Sequence, residues 1–131
     1  MRIDHIGYAV DNIEKARKEL HSVGYRFEDV FEDSERNVNL CFGEMDGYRI
    51  ELVEPGNQVG KGSPVDEYLN VIGPTLYHIC YKSNDIESDI DKLKKLRFRV
   101  SVPLAPAVAF GGRRVVFMYS LEAGLIEIVE S

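Results

Sequence analysis

Two glutamates interrupt runs of aliphatic residues that otherwise have the composition of buried β-strands. Glu51 lies in the middle of YRIELVEP, and Glu127 lies in the middle of GLIEIVES near the end of the chain. Because strand side chains alternate between the two faces of a sheet, each glutamate points away from its aliphatic neighbours. A carboxylate on a partly apolar face is costly unless a partner satisfies its charge, and a divalent cation is one such partner.

Two histidines occupy matching places in the two halves of the chain. His5 lies in DHIGY and His78 lies in YHICY, each in the first strand-like run of its half. Imidazole and carboxylate together form a mixed nitrogen and oxygen donor set, which suits Mn, Co, Ni, Fe, Zn or Mg. The alternative is that both glutamates face water on half-exposed antiparallel sheets and that the histidines are incidental. The recurrence of the same two residue types in both halves favours a metal site.

These four residues belong to an internal repeat. The segment that begins DHIGYAVDNIE aligns with YHICYKSNDIE at an offset of 73 residues, and IELVE aligns with IEIVE at an offset of 76. A period of this length is too long for a solenoid and indicates a duplicated supersecondary module. One histidine and one glutamate from each module would converge if the two sheets curve towards a common centre.

Both copies follow the same order of elements. A capping side chain followed three residues later by Glu occurs in DNIE (11–14) and in NDIE (84–87), which predicts two helix starts. Apolar residues at helical spacing follow each start, and the remaining runs are rich in β-branched and aromatic residues. We therefore predict an α+β fold of two tandem βαβββ modules. The strands are expected at 2–10, 25–31, 37–43, 48–54, 75–81, 98–102, 114–120 and 125–129.

The chain of 131 residues has the length of a single domain. We place module one at about 1–54, a connector at about 55–74 and module two at about 75–131. The connector is rich in Gly and Pro, and within it Ser63 and Asp66 predict a short, lid-like helix.

Charge and hydropathy exclude several classes of partner. The net charge is −6 and no block is rich in Lys or Arg, which argues against nucleic acid or an anionic membrane as partner. No apolar run reaches the length of a transmembrane helix, and Asp4 and His5 lie where a signal peptide would be apolar. We therefore expect a cytoplasmic protein that acts on a small molecule. Cys41 and Cys80 lack the spacing of a zinc site and are expected to be reduced and buried.

The sequence resembles the vicinal oxygen chelate superfamily, which includes glyoxalase I, methylmalonyl-CoA epimerase, extradiol dioxygenases and antibiotic-resistance proteins. The motifs DHIGYAV, ELVEP, SPVDEYL, YHICY, RRVVFMYS and GLIEIVE carry the likeness, in the order of the compact, epimerase-like branch. The resemblance implies paired βαβββ modules that form a curved mixed sheet around one metal site, whose four ligands come either from one chain or from two chains that exchange modules. A homodimer is the default expectation. It also implies a divalent ion (Co, Mn, Ni or Zn) with the ligands His5, Glu51, His78 and Glu127.

The chemistry implied by this resemblance is enolisation. A metal ion stabilises the enolate oxygen while a carboxylate takes a proton from the carbon next to a carbonyl. The expected activity is that of a metal-dependent isomerase or lyase resembling methylmalonyl-CoA epimerase, with an acyl-CoA substrate. Glu127 is a candidate base as well as a ligand. Glu35 is a second catalytic candidate, because it matches the Glu of an epimerase Glu-x-Gly-Val turn in which Asn37 here replaces Gly.

Other functions within the superfamily stay open. Glyoxalase I performs related proton transfer on a hemithioacetal, the adduct of a thiol. Antibiotic-resistance proteins of this type bind ligands without catalysis, although they typically lack the metal ligands. An iron-dependent dioxygenase and a fosfomycin thiol transferase are disfavoured, because Glu51 would be a fourth ligand.

Three arginines are candidates for substrate contact. Arg49 shares the face of Glu51 and could pair with a substrate carboxylate or with an acid of the protein. Arg113 and Arg114 follow AVAFGG, a loop that departs from the epimerase pattern. They could contact coenzyme A phosphates or remain solvated.

Overall fold

Nine strands and three α-helices follow one another in the order of a duplicated βαβββ module. A computed structural model describes all residues 1–131. The strands are β1 (Arg2–Ala9), β2 (Arg26–Phe27), β3 (Phe31–Asp33), β4 (Val38–Met45), β5 (Tyr48–Pro55), β6 (Thr75–Ser83), β7 (Arg99–Pro106), β8 (Arg114–Ser120) and β9 (Gly124–Glu130). The α-helices are α1 (Ile13–Val23), α2 (Asp66–Val71) and α3 (Ile86–Lys95), and a 3-10 helix spans Val108–Phe110.

The chain divides into two compact units. The N-terminal unit is His5–Tyr77, and the C-terminal unit is His78–Ser131 together with Met1–Asp4. Within the C-terminal unit, Asp4 Oδ1 lies 3.3 Å from the Nζ of Lys82. Each unit combines parallel and antiparallel strands with a helix, so the predicted α+β fold with two βαβββ-like modules is confirmed.

The sheet of the N-terminal unit has the strand order β2-β4-β5-β1, and β3 also pairs with β4. Strand β1 runs parallel to β5, and β4 runs antiparallel to β5. The turn between β4 and β5 consists of Asp46 and Gly47, with φ values of 54° and 80°. An Asp-Gly pair with two positive φ angles forms the tight turn that matches the twist of a hairpin, so it determines which residues of β4 and β5 face each other.

Helix α1 covers one face of this sheet. Its first turn is capped by Asn12, whose Oδ1 accepts a hydrogen bond of 2.9 Å from the N–H of Lys15. It ends where Gly24 takes a φ of 130° and donates to the carbonyls of the last turn. Ile13 of the helix packs with Ile50 and Leu52 of β5 in one buried cluster.

The C-terminal unit repeats this plan with the strand order β6-β9-β8-β7. Strand β6 is parallel to β9, and the pairs β9–β8 and β8–β7 are antiparallel. Helix α3 is capped by Asp85, whose side chain accepts a hydrogen bond from the N–H of Ser88 at 3.2 Å. Its residues Ile86 and Ile90 pack against Ile128 in the buried cluster of this unit. The duplication therefore extends from the sequence to the packing of each helix.

The two helix starts were predicted correctly, although in each case the capping residue is the second of the four motif residues rather than the first. The connector helix is also confirmed as α2. The Oγ of Ser63 donates to Asp66 Oδ1 at 2.6 Å, and Asp66 Oδ2 accepts from the N–H of Ser63 at 2.8 Å. This reciprocal pair ties down the first turn of the helix.

The prediction of one strand at 25–31 is wrong. Phe27 of β2 lies opposite Gly43, and Phe31 of β3 lies opposite Leu40. The chain advances four residues from Phe27 to Phe31, whereas β4 advances only three residues from Leu40 to Gly43. The extra residue interrupts the pairing and divides the predicted strand into β2 and β3. An inserted residue of this kind bends the edge of a sheet in the manner of a β-bulge.

Two further expectations concern membranes and cysteines. None of the three helices combines the length and the apolar character needed to cross a bilayer. Cys41 and Cys80 form no disulfide and are buried, as predicted. Burial raises the pKa of the Cys41 thiol to about 11.

Candidate metal centre

In the N-terminal unit, β1 and β5 place His5 beside Glu51. Gly7 lies directly opposite Glu51 in the parallel pair, and His5 comes two residues before Gly7. The two side chains therefore emerge from the same face of the sheet. His5 Nε2 lies 2.7 Å from Glu51 Oε2, and the residues are 1% and 6% exposed.

The C-terminal unit contains the same arrangement. Cys80 lies opposite Glu127 in the parallel pair of β6 and β9, and His78 comes two residues before Cys80. His78 Nε2 lies 3.0 Å from Glu127 Oε2, and these residues are 5% and 4% exposed. The repeat therefore preserves a side-chain geometry as well as the two residue types.

Both glutamates point away from the helix of their own unit. Their neighbours Ile50 and Leu52 pack in the cluster of α1, and Ile128 packs in that of α3, as the alternation of strand side chains predicts. The alternative that Glu51 and Glu127 face water is wrong, because both carboxylates are buried. A buried carboxylate needs charge compensation, and here an imidazole lies within 3.0 Å of each.

A phenylalanine completes each pair, and the sequence analysis did not identify it. The ring of Phe42 meets His5 edge to face with centroids 5.4 Å apart, and the ring of Phe117 meets His78 in the same way at 5.4 Å. Phe42 lies opposite Glu51, and Phe117 lies opposite Glu127. The Asp-Gly turn contained a signal for the first of these, since a two-residue hairpin turn determines the register of the strands it joins.

The donor atoms of each pair fit adjacent coordination positions of one metal ion. With bonds of about 2.1 Å, neighbouring ligands of an octahedral ion lie about 3 Å apart. The observed separations of 2.7 Å and 3.0 Å match this spacing. Each residue offers one ligand atom, and all four are buried. The two pairs are therefore consistent with a divalent metal, and imidazole with carboxylate does not select among Co, Mn, Ni and Zn.

Glu35 lies apart from the His–Glu pair of its own unit. It is an exposed residue of the turn between β3 and β4, whereas Glu51 lies four residue pairs into the β4–β5 ladder from Val38. At about 3.4 Å per residue, Val38 lies about 14 Å along β4 from Phe42, the residue opposite Glu51. The role of Glu35 as a proton-transfer base stays a prediction. Its exposed position makes a buried carboxylate the better candidate for that role.

Asn37 performs the backbone role that the expected Gly would have. Its φ is 52°, in the left-handed region that Gly and Asn tolerate best. Its side chain also holds the connector, because Nδ2 donates to the carbonyl of Lys61 at 2.7 Å and Oδ1 accepts from the N–H of Gln58 at 3.1 Å. The substitution therefore keeps the turn and adds a link from the turn to the connector.

The three candidate arginines have different surroundings. The guanidinium of Arg49 lies 3.8 Å from the ring centroid of Phe42. Arg113 Nε donates to the carbonyl of Phe110 at 3.1 Å. Arg114 Nε lies 2.9 Å from Glu130 Oε2, and its Nη1 lies 2.8 Å from Glu87 Oε1. Arg114 is thus engaged within the protein, which makes it a weak candidate for substrate phosphates.

The ion pairs of Arg114 with Glu130 and Glu87 change the pKa values of all three groups. The hydrogen bonds from Arg114 hold the pKa of Glu130 and the pKa of Glu87 below their usual value of 4.5. The same bonds raise the pKa of the Arg114 guanidinium, with the bond to Glu130 contributing most. All three groups therefore carry full charge at neutral pH.

A protein-family model matches residues 4–117 of the chain, and its description is Glyoxalase/Bleomycin resistance protein/Dioxygenase superfamily. Among curated proteins, the ethylmalonyl-CoA/methylmalonyl-CoA epimerase of Cereibacter sphaeroides is 29% identical over 121 residues, which cover 90% of this chain and 87% of that protein. The mitochondrial methylmalonyl-CoA epimerase of Homo sapiens is 27% identical over 137 residues, which cover 99% of this chain and 74% of that protein.

Solved structures show the same fold. A variant of the methylmalonyl-CoA epimerase of Streptomyces coelicolor, in complex with 2-nitronate-propionyl-CoA, superposes with a TM-score of 0.82. The match covers 100% of this chain and 97% of that chain at 24% identity. At this level of identity, the likeness concerns the fold alone.

Proposed function

Because the chain belongs to the Glyoxalase/Bleomycin resistance protein/Dioxygenase superfamily, we propose that it is a divalent-metal-dependent enzyme resembling methylmalonyl-CoA epimerase. The observation that carries this proposal is the duplication of a buried His–Glu pair, one in each unit, at 2.7 Å and 3.0 Å. The likeness to curated epimerases, at 27–29% identity, supports a coenzyme A thioester as substrate.

The proposed metal ligands are His5, Glu51, His78 and Glu127. The two pairs use chemically identical donors at nearly identical spacing, which is the pattern expected if each unit supplies half of one coordination shell. A bound divalent ion would supply Lewis-acid stabilisation of the negative charge on a carbonyl oxygen. Phe42 and Phe117 pack edge to face on the imidazoles and so restrict the rotation of both histidine rings.

The proton transfer is assigned to carboxylates. Glu127 takes the proton from the carbon between the thioester and the second carboxyl group, while the C–H electron pair moves to the thioester oxygen as an enolate. A carboxylate has two oxygens, so Glu127 can serve as a ligand through one and as a base through the other. Return of a proton to the opposite face of the same carbon completes an epimerisation. We assign that proton to the carboxyl group of Glu51 rather than to the exposed Glu35, so Glu51 must be protonated before turnover. Turnover leaves the proton on Glu127 and Glu51 ionised, and proton exchange with solvent restores the starting state.

The test is proton NMR of methylmalonyl-CoA in deuterated water, with protein first stripped of metal and then reloaded with Co²⁺ or Mn²⁺. We expect loss of the α-proton signal only after reloading. Elemental analysis of the reloaded protein establishes in parallel whether the metal is bound.

Two other outcomes would change the proposal. Bound metal without exchange would rule out this thioester, and the next substrate to assay is the hemithioacetal of methylglyoxal and glutathione. Failure to bind any divalent metal would favour a non-catalytic ligand-binding protein. The expected homodimer is tested separately, by light scattering of the eluted protein.

A further inference from the structure

The C-terminal unit contains a roomy cleft outside the His–Glu pair. Its volume is about 1040 Å³, which is at the upper end of the size of small-molecule sites. The end of α3, the start of β7 and the turn between β8 and β9 form its walls. Its lining includes Lys94, Arg97, Arg99, Tyr119, Leu121 and Glu122.

Three cations of the cleft have no acidic partner. Lys94, Arg97 and Arg99 are exposed, and no carboxylate lies within ion-pair distance of any of them. Lys82 and Arg114 of the same unit, by contrast, both pair with acids. Uncompensated guanidinium and ammonium groups that line one cleft form a site for a polyanion, and arginine in particular suits phosphate.

Apolar surface adjoins these cations. Tyr119 is 43% exposed and Leu121 is 88% exposed, and both line the cleft. An exposed aromatic ring beside cations can stack on a nucleobase whose phosphates the cations bind. The combination therefore indicates a phosphorylated nucleoside rather than an inorganic anion.

Two residues of the cleft, Tyr119 and Arg99, lie one row of side chains from the His–Glu pair on the same sheet face, whereas Lys94 belongs to α3, which packs on the other face. Phe117 lies opposite Glu127, and in the next row Tyr119 lies opposite Leu125 and also opposite Arg99. Directly opposed residues of antiparallel strands share a face. From strand spacing and rise, the Cα atoms of Glu127 and Arg99 are about 12 Å apart. An extended pantetheine arm can span this distance.

The corresponding row of the N-terminal unit has a different charge. There Glu44 lies opposite both Arg49 and Arg26, and Glu28 lines the same pocket, whose volume is about 190 Å³. Two acids offset two arginines in a pocket less than a fifth of the size. Of these two pockets, that of the C-terminal unit is the larger, and its three cations outnumber its one acid, Glu122.

We propose that this cleft binds the phosphorylated adenosine end of a coenzyme A thioester, with Arg97 and Arg99 on its phosphates and Tyr119 against the adenine. The proposal rests on the proposed function for its choice of coenzyme A. It extends that proposal by assigning the binding of the adenosine end of the substrate to the C-terminal unit and by naming the residues that bind it.

The test measures binding of adenosine 3′,5′-bisphosphate, the nucleotide fragment of coenzyme A, by calorimetry without any turnover. The variant is Lys94→Gln, Arg97→Asn and Arg99→Gln combined, with Asn chosen because residue 97 has a φ of 71°. The matched control is Arg26→Gln, the equivalent of Arg99 in the other unit. Thermal unfolding verifies that both variants are folded.

We expect the triple variant to bind the fragment at least about tenfold more weakly, while the control binds as the wild type does. Affinity of the wild type is expected to fall as salt rises. Equal binding by wild type and triple variant, or no binding of the fragment by the wild type, would overturn the proposal. Because the readout is binding of a fragment, it stands or falls independently of whether methylmalonyl-CoA is turned over.

If methylmalonyl-CoA is a substrate, a second comparison applies. The triple variant should raise KM for methylmalonyl-CoA at unchanged kcat, because the lost contacts lie away from the reacting carbon. It should not change KM for the methylmalonyl thioester of pantetheine, which lacks the nucleotide. An equal rise in KM for both thioesters would contradict a nucleotide-binding role.

Discussion

The two units share a His–Glu–Phe core but attach the strand that carries the glutamate in different ways. In the N-terminal unit the last acid of IELVE, Glu54, accepts hydrogen bonds from the N–H of Ile13 at 2.7 Å and from Asn39 at 3.2 Å. In the C-terminal unit its counterpart in IEIVE, Glu130, is bound by Arg114, which also pairs with Glu87 of α3. One acid contacts its helix directly, and the other reaches its helix through an arginine.

This difference shows which features of the duplicated module tolerate change. The two His–Glu distances differ by only 0.3 Å. The contacts that hold the end of the glutamate strand differ between the units, as do the charges of the side-chain row next to the His–Glu pair and the sizes of the adjoining pockets. A shared metal would require both pairs to keep the same donors. The surroundings of each pair face no such requirement and are available for substrate binding.

The largest expected effect concerns the base. Glu127→Gln keeps an oxygen donor but removes the proton acceptor, so it should lower the rate of α-proton exchange by about 100- to 10,000-fold. The control is Glu14→Gln, at an exposed position on α1. Retained exchange in Glu127→Gln with metal bound would move the base to Glu51 and reverse the assignment of the two units.

The second prediction concerns the packing of α1 and α3 against their sheets. Ile13→Ala and Ile86→Ala each remove a fully buried side chain, since these residues are 1% and 2% exposed. Each should lower the free energy of unfolding by about 2–5 kcal/mol. Chemical denaturation measures both, and similar losses are expected because the helices occupy equivalent places. A loss in only one unit would show that the other helix contributes little to stability.

The third prediction tests whether both pairs bind the metal. His5→Ala and His78→Ala should each weaken Co²⁺ or Mn²⁺ binding by at least about 100-fold, as measured by calorimetry. The third histidine provides a matched control, because His21 is exposed on α1 and its Nδ1 lies 3.2 Å from the carbonyl of Tyr25. Normal affinity in one of the two variants would mean that a single unit holds the ion.

The fourth prediction compares the two strand attachments. Glu54→Ala leaves the first N–H of α1 without its acceptor, which should cost about 0.5–2 kcal/mol of stability. Glu130→Ala should cost less, because the side chains of Arg114 and Glu130 are 38% and 28% exposed and solvent screens their attraction. Denaturation midpoints rank the two, and a larger loss in Glu130→Ala would contradict this comparison.

The ion-pair attachment also responds to pH. Glu130 and Glu87 have pKa values below the usual 4.5, chiefly because of hydrogen bonds from Arg114. A carboxyl whose pKa is lowered by folding stabilises the fold above its ordinary pKa, and this contribution is lost as the pH falls through the lowered pKa. The difference in Tm between wild type and Arg114→Met should therefore be constant near neutrality and should shrink below about pH 4.5.

The smallest expected effect is that of Glu35. Because this residue lies in the exposed turn before β4, and Glu51 lies four residue pairs into the β4–β5 ladder, Glu35→Gln should change the rate of α-proton exchange by less than about twofold. The same NMR assay measures it. A loss comparable to that of Glu127→Gln would restore Glu35 as the second base and displace Glu51 from that role.

The sequence by itself determined the members of each His–Glu pair and, except for the strand predicted at 25–31, the order of elements. Residue type and period specify a strand or a helix locally, and a repeat makes the same local pattern recognisable twice. The alternation of side chains then placed Glu51 and Glu127 on the face opposite Ile50 and Ile128, which the packing of the helices confirms.

Only the tertiary structure decided the features that depend on register between strands. The break in the strand predicted at 25–31 arises from one extra residue opposite β4, and local propensity does not count residues across a ladder. The phenylalanines against His5 and His78 and the row from Glu127 to Arg99 likewise follow from strand pairing. Which surface cations lack an acidic partner was decided in the same way, because residues distant in the chain become neighbours only when the strands are paired.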